Sequence, residues 1–285
     1  MKSGNVVIVG RPNSGKSTLI NALIGKKISI ITPKPQTTRK VIWGYWQDER
    51  AQIIFWDTPG IFTKIKDLST KKINPLPAQS IENADIVLYL VDKTRSRGDE
   101  ENKILGIVRK SSKPKILVIN KIDIKKSDHL HEYEFLKDEF DKTIEISAKA
   151  GKNVNLLLET IVDLLPEGGK IFNPEDMAKF PSNMTPEEFI SEIVREKLFL
   201  TLRQELPYAC AVKTDEIKEK EKVFYIKVSI YTTDDRYKKM VIGKGGLAIK
   251  EIGTMSRKEI ELITGKKVFL DLEVITDPHW PEYYL

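Results

Sequence analysis

The chain has few of the residues that build stapled, metal-clustered or membrane-spanning proteins. Its single cysteine, Cys210, excludes an internal disulfide and a cysteine-based metal cluster. The simplest reading of that residue is a small apolar side chain in a strand. The three histidines, His129, His131 and His279, form no metal-ligand spacing with other residues and read as surface groups. No apolar run approaches the ~18 residues that a membrane-spanning helix requires. Met1-Lys2-Ser3-Gly4-Asn5 leads directly into a short apolar segment, without the layout of a secretory leader. There is no internal repeat and no low-complexity tract. These absences lead to the expectation of a cytoplasmic protein, and no feature compels an oligomer, so a monomer is expected.

What is present suffices for two domains: 285 residues, of which 40% are hydrophobic and 31% charged. The net charge of +6 and a pI near 9.0 suggest a polyanionic partner. From residue 190 onward, however, basic and acidic residues nearly cancel. A nucleic-acid reading must therefore rest on local motifs. Residues 1–168 alternate apolar strand-like runs with amphipathic stretches, which predicts a mostly parallel sheet with one antiparallel strand and flanking helices. Within this domain a helix is expected over 130–140. Prolines punctuate a linker over 169–186. Thr185-Pro186-Glu187-Glu188 combines an N-cap, a proline at the first helical position and early acidic residues. Residues 187–285 then read as αββααβ, a small α+β domain whose first helix extends to about Glu205.

Five motifs converge on one chemistry. Gly10-Arg11-Pro12-Asn13-Ser14-Gly15-Lys16-Ser17 matches the phosphate loop G-x-x-x-x-G-K-[ST], placed between strand and helix. Its backbone amides can close around phosphates, Lys16 can reach the β- and γ-phosphates, and the Ser17 hydroxyl can ligate Mg²⁺. Thr18 completes this run of expected nucleotide contacts. Asp57-Thr58-Pro59-Gly60 supplies an aspartate for Mg²⁺ through water and a glycine amide to sense the γ-phosphate, with Ile61 directly after it. The loop Gln36-Thr37-Thr38-Arg39 is long enough to fold over the nucleotide, and Thr38 is favoured to complete the Mg²⁺ shell. Lys16, Thr38 and Gly60 are thus the candidate catalytic groups. Asn120-Lys121-Ile122-Asp123 chooses the base. The Asp123 carboxylate can accept from guanine N1–H and the 2-amino group, a donor pair adenine lacks. Ser147-Ala148-Lys149 offers backbone to the guanine O6.

With these elements in place, residues 1–165 resemble the translation-factor-related GTPases. Thr37-Thr38-Arg39 and Asp57-Thr58-Pro59-Gly60 look like the Era branch of them. Arg195-Glu196-Lys197-Leu198, Arg203-Gln204-Glu205-Leu206-Pro207-Tyr208 and Val241-Ile242-Gly243-Lys244-Gly245-Gly246 look like the second domain of that family, a type II KH fold. The resemblance implies a P-loop GTPase domain followed by a KH domain. It implies GTP hydrolysis with Mg²⁺ and binding near the 3′ end of small-subunit ribosomal RNA. It also implies a role in small ribosomal subunit assembly and peripheral contact with the inner face of the cell membrane. Ile61 stands where many GTPases carry a water-orienting glutamine, which implies slow turnover. Similar GTPases with an asparagine at the position of Asn13 use K⁺, so a K⁺ at Asn13 is expected.

Three features depart from the family pattern. Asn74-Pro75-Leu76-Pro77 should break or shorten a helix. The connector Met177-Ala178-Lys179-Phe180-Pro181 differs from the usual sequence, and the chain is shorter than typical members after Trp280. In the second domain, the Gly243-to-Gly246 turn lets a single-stranded nucleic-acid backbone approach closely. Ile242 offers an apolar wall there, and Lys238, Lys239, Lys244 and Lys250 add charge. Two other readings stand beside the RNA-coupled switch. One is a P-loop ATPase or kinase, which Asn120-Lys121-Ile122-Asp123 disfavours. The other is a passive RNA-binding assembly factor that holds GDP with little turnover.

Overall fold

Val6, Val7, Ile8 and Val9 are all fully buried, which requires a strand covered on both faces. In the computed structural model they belong to β1 (Lys2–Val9). The structure describes residues 1–35, 37–61, 74–126, 128–173, 182–221 and 223–284, with side chains through residue 282. The chain divides into two compact units, Met1–Ile31 with Pro35–Asn183, and Thr32–Lys34 with Met184–Leu285.

In the first unit β1 is followed by α1 (Lys16–Ile24), β2 (Ile42–Gln47), β3 (Ala51–Asp57), α2 (Leu76–Glu82) and β4 (Ile86–Asp92). Next come α3 (Asp99–Arg109), β5 (Lys115–Asn120), a 3-10 helix (Leu130–Glu139), β6 (Lys142–Glu145) and α4 (Val154–Leu164). The six strands lie in the order β2-β3-β1-β4-β5-β6, and every pair is parallel except β2 with β3. Alternation along the strands splits the core. Val6, Ile8, Leu88 and Leu90 pack with Leu19 and Leu23 of α1 and Leu157 and Ile161 of α4. Val7, Val9, Tyr89 and Val91 pack with Ile104, Leu105 and Val108 of α3, and with Tyr133 and Leu136 of the 3-10 helix. This order places β1 and β4 side by side where the chain changes direction across the sheet. Ligands bind outside the carboxyl ends of the strands at such a point.

The second unit contains α5 (Pro186–Thr201), a short 3-10 turn (Leu206–Ala209), β7 (Cys210–Lys220), β8 (Val223–Thr232) and α6 (Asp235–Ile242). A one-turn 3-10 segment (Lys244–Gly246) leads to α7 (Leu247–Thr264), β9 (Lys267–Thr276) and α8 (Trp280–Tyr284). β7 runs antiparallel to β8, with a bulge between Thr214 and Glu216, and β8 runs parallel to β9. A parallel neighbour needs a crossover, and α6 with α7 supplies it. Ile226, Val228 and Ile230 alternate toward the buried side of β8. Cys210 is buried, and its thiol donates to the Leu206 carbonyl at 3.2 Å.

Three expectations need correction or restriction. Residues 130–139 form a 3-10 helix and not an α-helix. Its buried residues Tyr133 and Leu136 are three apart, a spacing that eclipses at three residues per turn. The first helix of the second unit stops at Thr201, short of Glu205, because Leu202 is extended and Gln204 takes φ +51. Pro75 and Pro77 stand at the N-cap and in the first turn of α2, where a missing N–H costs nothing, so they open a helix here. Residues 62–73 before it, Gln36, and Met177-Ala178-Lys179-Phe180-Pro181 in the connector lie outside the described residues.

Thr185 closes a capping box with Glu188. The Thr185 hydroxyl accepts from the Glu188 amide at 3.2 Å, and the Glu188 carboxylate accepts from the Thr185 amide at 2.9 Å. Thr185→Ala is therefore expected to destabilise the second unit by about 1 kcal/mol, measured by urea unfolding followed by circular dichroism.

Candidate nucleotide-binding site

The turns after β1, β3, β5 and β6 all end at one edge of the sheet, so four sequence-distant motifs meet there. Gly10 through Gly15 form a loop that runs directly into α1, whose unbonded N-terminal amides begin where the loop ends. Gly15, the N-cap, takes φ +104. The loop lies against the second motif so closely that a Cβ on Gly60 would stand 2.7 Å from the backbone nitrogen of Pro12. Only glycine fits there, and its amide is thereby held beside the phosphate loop.

The Lys16 side chain is buried, and its ammonium donates to the carbonyls of Gly10 at 2.9 Å and Arg11 at 3.0 Å. Burial pushes the Lys16 ammonium down to about 8, against the opposing charges of Asp57 and Glu101. The site thus holds a partly destabilised cation that a phosphate would restore. Beside it the Ser17 hydroxyl donates to Asp57 Oδ2 at 2.7 Å and lies 3.2 Å from Thr38 Oγ1. Asp57 is fully buried, and its Oδ1 has no hydrogen-bond partner among the described residues. Desolvation pushes that carboxyl up, while the Lys16 charge and the Ser17 hydroxyl pull it down. Two hydroxyls around a buried carboxylate with an unused oxygen suit a small hard cation such as Mg²⁺. Of the two threonines, Thr38 brings its hydroxyl to this cluster, and Thr37 is buried.

On the base side, Asn120 is buried and joins three loops. Its Nδ2 donates to the Ser14 carbonyl at 2.9 Å, and its Oδ1 accepts from the amides of Lys121 at 2.8 Å and Ala148 at 3.0 Å. Lys121 takes φ +68 and reaches back across the site, donating to the Asn13 carbonyl at 2.9 Å and to Asp92 Oδ2 at 2.7 Å. Asn13 itself takes φ +63 and is exposed. Ser147 is buried, its hydroxyl accepting from the Ala150 amide at 3.0 Å. Asp123 is exposed at the mouth, as is Lys149, while Ile122 is half-buried with its amide bonded to the Ile146 carbonyl.

Some residues of these motifs turn away from the centre. The Thr58 hydroxyl is buried on the Ile8 carbonyl at 2.7 Å, so it ties β3 to β1. Ile61 is 1% exposed and packs into the core, leaving no side chain there to hold water. The Arg11 guanidinium runs under the loop to the carbonyls of Ser96 at 2.9 Å and Arg95 at 3.2 Å. Pro59 and Ser14 stay in the loops where the sequence puts them, Ser14 fully buried, and Thr18 lies in the first turn of α1, half-buried. The turn leaving β4 was not legible as part of the site. There Asp92 holds Lys121, and Arg95 donates to the Pro12 carbonyl at 3.3 Å. Its signal was an aspartate ending a buried strand next to β1.

In the second unit Gly243, Gly245 and Gly246 take φ of +75, +60 and +77, a turn no other residue type follows without strain. Lys239, Lys244 and Lys250 are exposed around it, while Lys238 and Ile242 are half-buried. Met240 and Leu247, 46% and 69% exposed, flank the same turn and extend its apolar surface beyond Ile242. Their signal in the sequence was an apolar residue on each side of the glycine turn, at positions that carry no core face.

A family model described as a 50S ribosome-binding GTPase matches residues 5–121, and a KH domain model matches residues 205–279. GTPase Era of Aquifex aeolicus is 40% identical over 300 residues, covering 99% of this chain and 97% of that protein. GTPase Era of Halothermothrix orenii is 38% identical, covering 99% and 95%. Among solved structures, Era in complex with MgGDPNP and nucleotides 1506–1542 of 16S ribosomal RNA superposes with a TM-score of 0.90 at 40% identity. An Aquifex aeolicus Era variant bound to GDP and AlF₄⁻ gives 0.90 at 38%; each match covers 99% of this chain and 97% of the other.

The depressed Lys16 makes nucleotide binding pH-dependent. Below pH 8 the free lysine is charged, and a bound phosphate meets an ammonium already in place. Above pH 8 binding must first recharge it, so affinity falls as pH rises. Calorimetry of GDP binding in two buffers of different ionisation enthalpy should show uptake of about half a proton at pH 8 and almost none at pH 6.5.

Proposed function

We propose that this chain, which belongs to the Era family of GTPases, couples its nucleotide cycle to binding of single-stranded RNA near the 3′ end of small-subunit ribosomal RNA. In that role it acts in assembly of the small ribosomal subunit. The enzyme converts GTP and water to GDP and phosphate and uses Mg²⁺. The observation that carries the coupled reading is the pairing, in one chain, of the four-motif nucleotide edge with a helix–glycine turn–helix ringed by lysines. A relative 40% identical over nearly its whole length carries MgGDPNP and 16S ribosomal RNA together, which supports it.

The assignments follow from the site. Residues 1–168 run the nucleotide cycle, 169–186 connect, and 187–285 hold RNA. Lys16 neutralises the β- and γ-phosphates, and the Gly60 amide donates to the γ-phosphate. Ser17 and Thr38 would hold the metal, and Asp57 would reach it through water. When bound, Mg²⁺ supplies positive charge to the phosphate oxygens as the terminal bond breaks. Asp123 reads the guanine edge, and the backbone of Ser147, Ala148 and Lys149 caps O6. Gly243, Lys244, Gly245 and Gly246 receive the RNA backbone, with bases against Ile242 and charge from Lys238, Lys239 and Lys250. The protein is read as a cytoplasmic monomer with peripheral contact to the inner membrane face. Among the described residues no helix is long and apolar enough to cross a membrane.

Because Ile61 cannot orient water, unaided hydrolysis is slow, and Asn13 would help hold a K⁺ that would supply the missing positive charge. Phosphate release should be at least several-fold faster in KCl than in NaCl at equal ionic strength. Equal rates would remove the K⁺ assignment. The coupling is tested with an oligonucleotide from the 3′ end of small-subunit ribosomal RNA, titrated against protein loaded with a non-hydrolysable GTP analogue or with GDP. Tight binding is expected only with the analogue and is lost in Gly245→Asp. Equal binding in both states would leave a GTPase with an RNA-binding domain and no switch between them.

A further inference from the structure

Beneath the phosphate loop lies a buried ionic cluster that the nucleotide chemistry does not use. Glu101, in the first turn of α3, is fully buried. Its Oε2 lies 3.1 Å from Arg11 Nε, and Arg11 is 4% exposed. Two phenols fix the carboxylate: Tyr89 of β4 donates to Oε1 at 2.9 Å, and Tyr133 donates to Oε2 at 3.4 Å. From this anchor the Arg11 guanidinium spreads to the carbonyls of Asp92, Arg95 and Ser96, at 3.4, 3.2 and 2.9 Å. The backbone of Arg11 meanwhile builds the loop, its carbonyl accepting from Lys16 Nζ at 3.0 Å and from the Ser14 amide at 3.2 Å.

We propose that Glu101 is a positioning residue for GTP binding and hydrolysis, acting through Arg11 to hold the phosphate loop in the shape that receives the second and third phosphates. A buried ion pair is a poor way to add stability, because well-packed apolar residues of the same volume serve as well or better. A charge pair retained here, with a carboxylate held by two phenols, supplies direction: the guanidinium can lie only where its carbonyls and Glu101 place it. Burial pushes the Glu101 carboxyl up, and the Arg11 charge is the largest influence pulling it back down. The neighbouring guanidinium therefore offsets part of the cost of burying this carboxyl. Arg11 leads from Glu101 to both atoms that shape the loop, its own carbonyl on Lys16 and the turn leaving β4. A loop closing on phosphate with preset amides loses catalysis when its support shifts by a fraction of an ångström.

The inference rests on the GTPase reading, so GDP binding by the unaltered full chain is measured first; its absence would sink that reading and not this one. GDP and GMP affinities follow from fluorescent analogues with Mg²⁺, and kcat from phosphate release. Glu101→Gln keeps the shape and removes the charge opposite Arg11. It is expected to lose about tenfold in GDP affinity and in kcat, with GMP affinity changed less than about twofold, because the loop that Arg11 shapes is the one proposed to receive the second and third phosphates. In an Arg11→Gln background the same substitution should add less than about twofold, since groups acting along one path are not additive. Should Glu101→Gln fail to fold, Tyr89→Phe replaces it, removing one hydrogen bond from the carboxylate, with an expected GDP loss of about threefold and GMP unchanged. Unchanged GDP affinity and kcat in a folded variant, equal losses for GDP and GMP, or full additivity with Arg11→Gln would overturn the proposal.

Discussion

One buried side-chain amide holds the nucleotide edge together. Asn120 gives a hydrogen atom to the Ser14 carbonyl and accepts from the amides of Lys121 and Ala148. An amide can donate and accept at once, and a buried one costs free energy unless both ends are satisfied. Here each bond falls on a different loop, so satisfying one residue locks the phosphate loop, the base-reading loop and the loop after β6 in one arrangement. An aspartate at this position would have no N–H for Ser14, and a serine could not span the gap. Lys121 adds a second brace by reaching from the same strand end to Asn13 and Asp92.

The sheet makes that arrangement possible. Parallel strands deliver every motif to the same edge, and the order β2-β3-β1-β4-β5-β6 sets β1 against β3 on one side and β4 on the other. The phosphate loop therefore meets the Asp57 turn and the turn leaving β4. The charges that gather there are mutually dependent. Lys16 is lowered by burial and raised by Asp57, while Asp57 is raised by burial and lowered by Lys16. Neither group is comfortable without the other, and a phosphate with a hard cation would relieve both.

The second unit solves a different problem. In the proposed role its turn lets a nucleic-acid backbone come close, and three glycines at positive φ leave few Cβ atoms there to intrude. In the proposed RNA-binding role the lysines around it would give attraction without sequence preference, and Met240, Ile242 and Leu247 would give surface for bases. The three-stranded sheet, together with α5, holds α6 and α7 in place on either side of the turn.

The motifs themselves were legible from residue order, because a phosphate loop, a base-reading tetrapeptide and a glycine turn need particular residue types within a few positions of each other. The strands were legible too, since fully buried parallel strands are continuous apolar runs. Local patterning was coarser where tertiary packing chose among similar backbones: it marked a helix over 130–140 without its 3-10 form, and it ran α5 past its end at Thr201. Other facts had no local signature at all. That Thr58 bonds Ile8, that Arg95 reaches Pro12, and that Glu101 lies beneath Arg11 depend on residues 50 to 90 positions apart, set side by side by strand order. The sequence by itself determined which chemical groups the protein has and in what order they come. Only the tertiary structure decided which buried charges face each other, because burial and pairing are properties of neighbours in space.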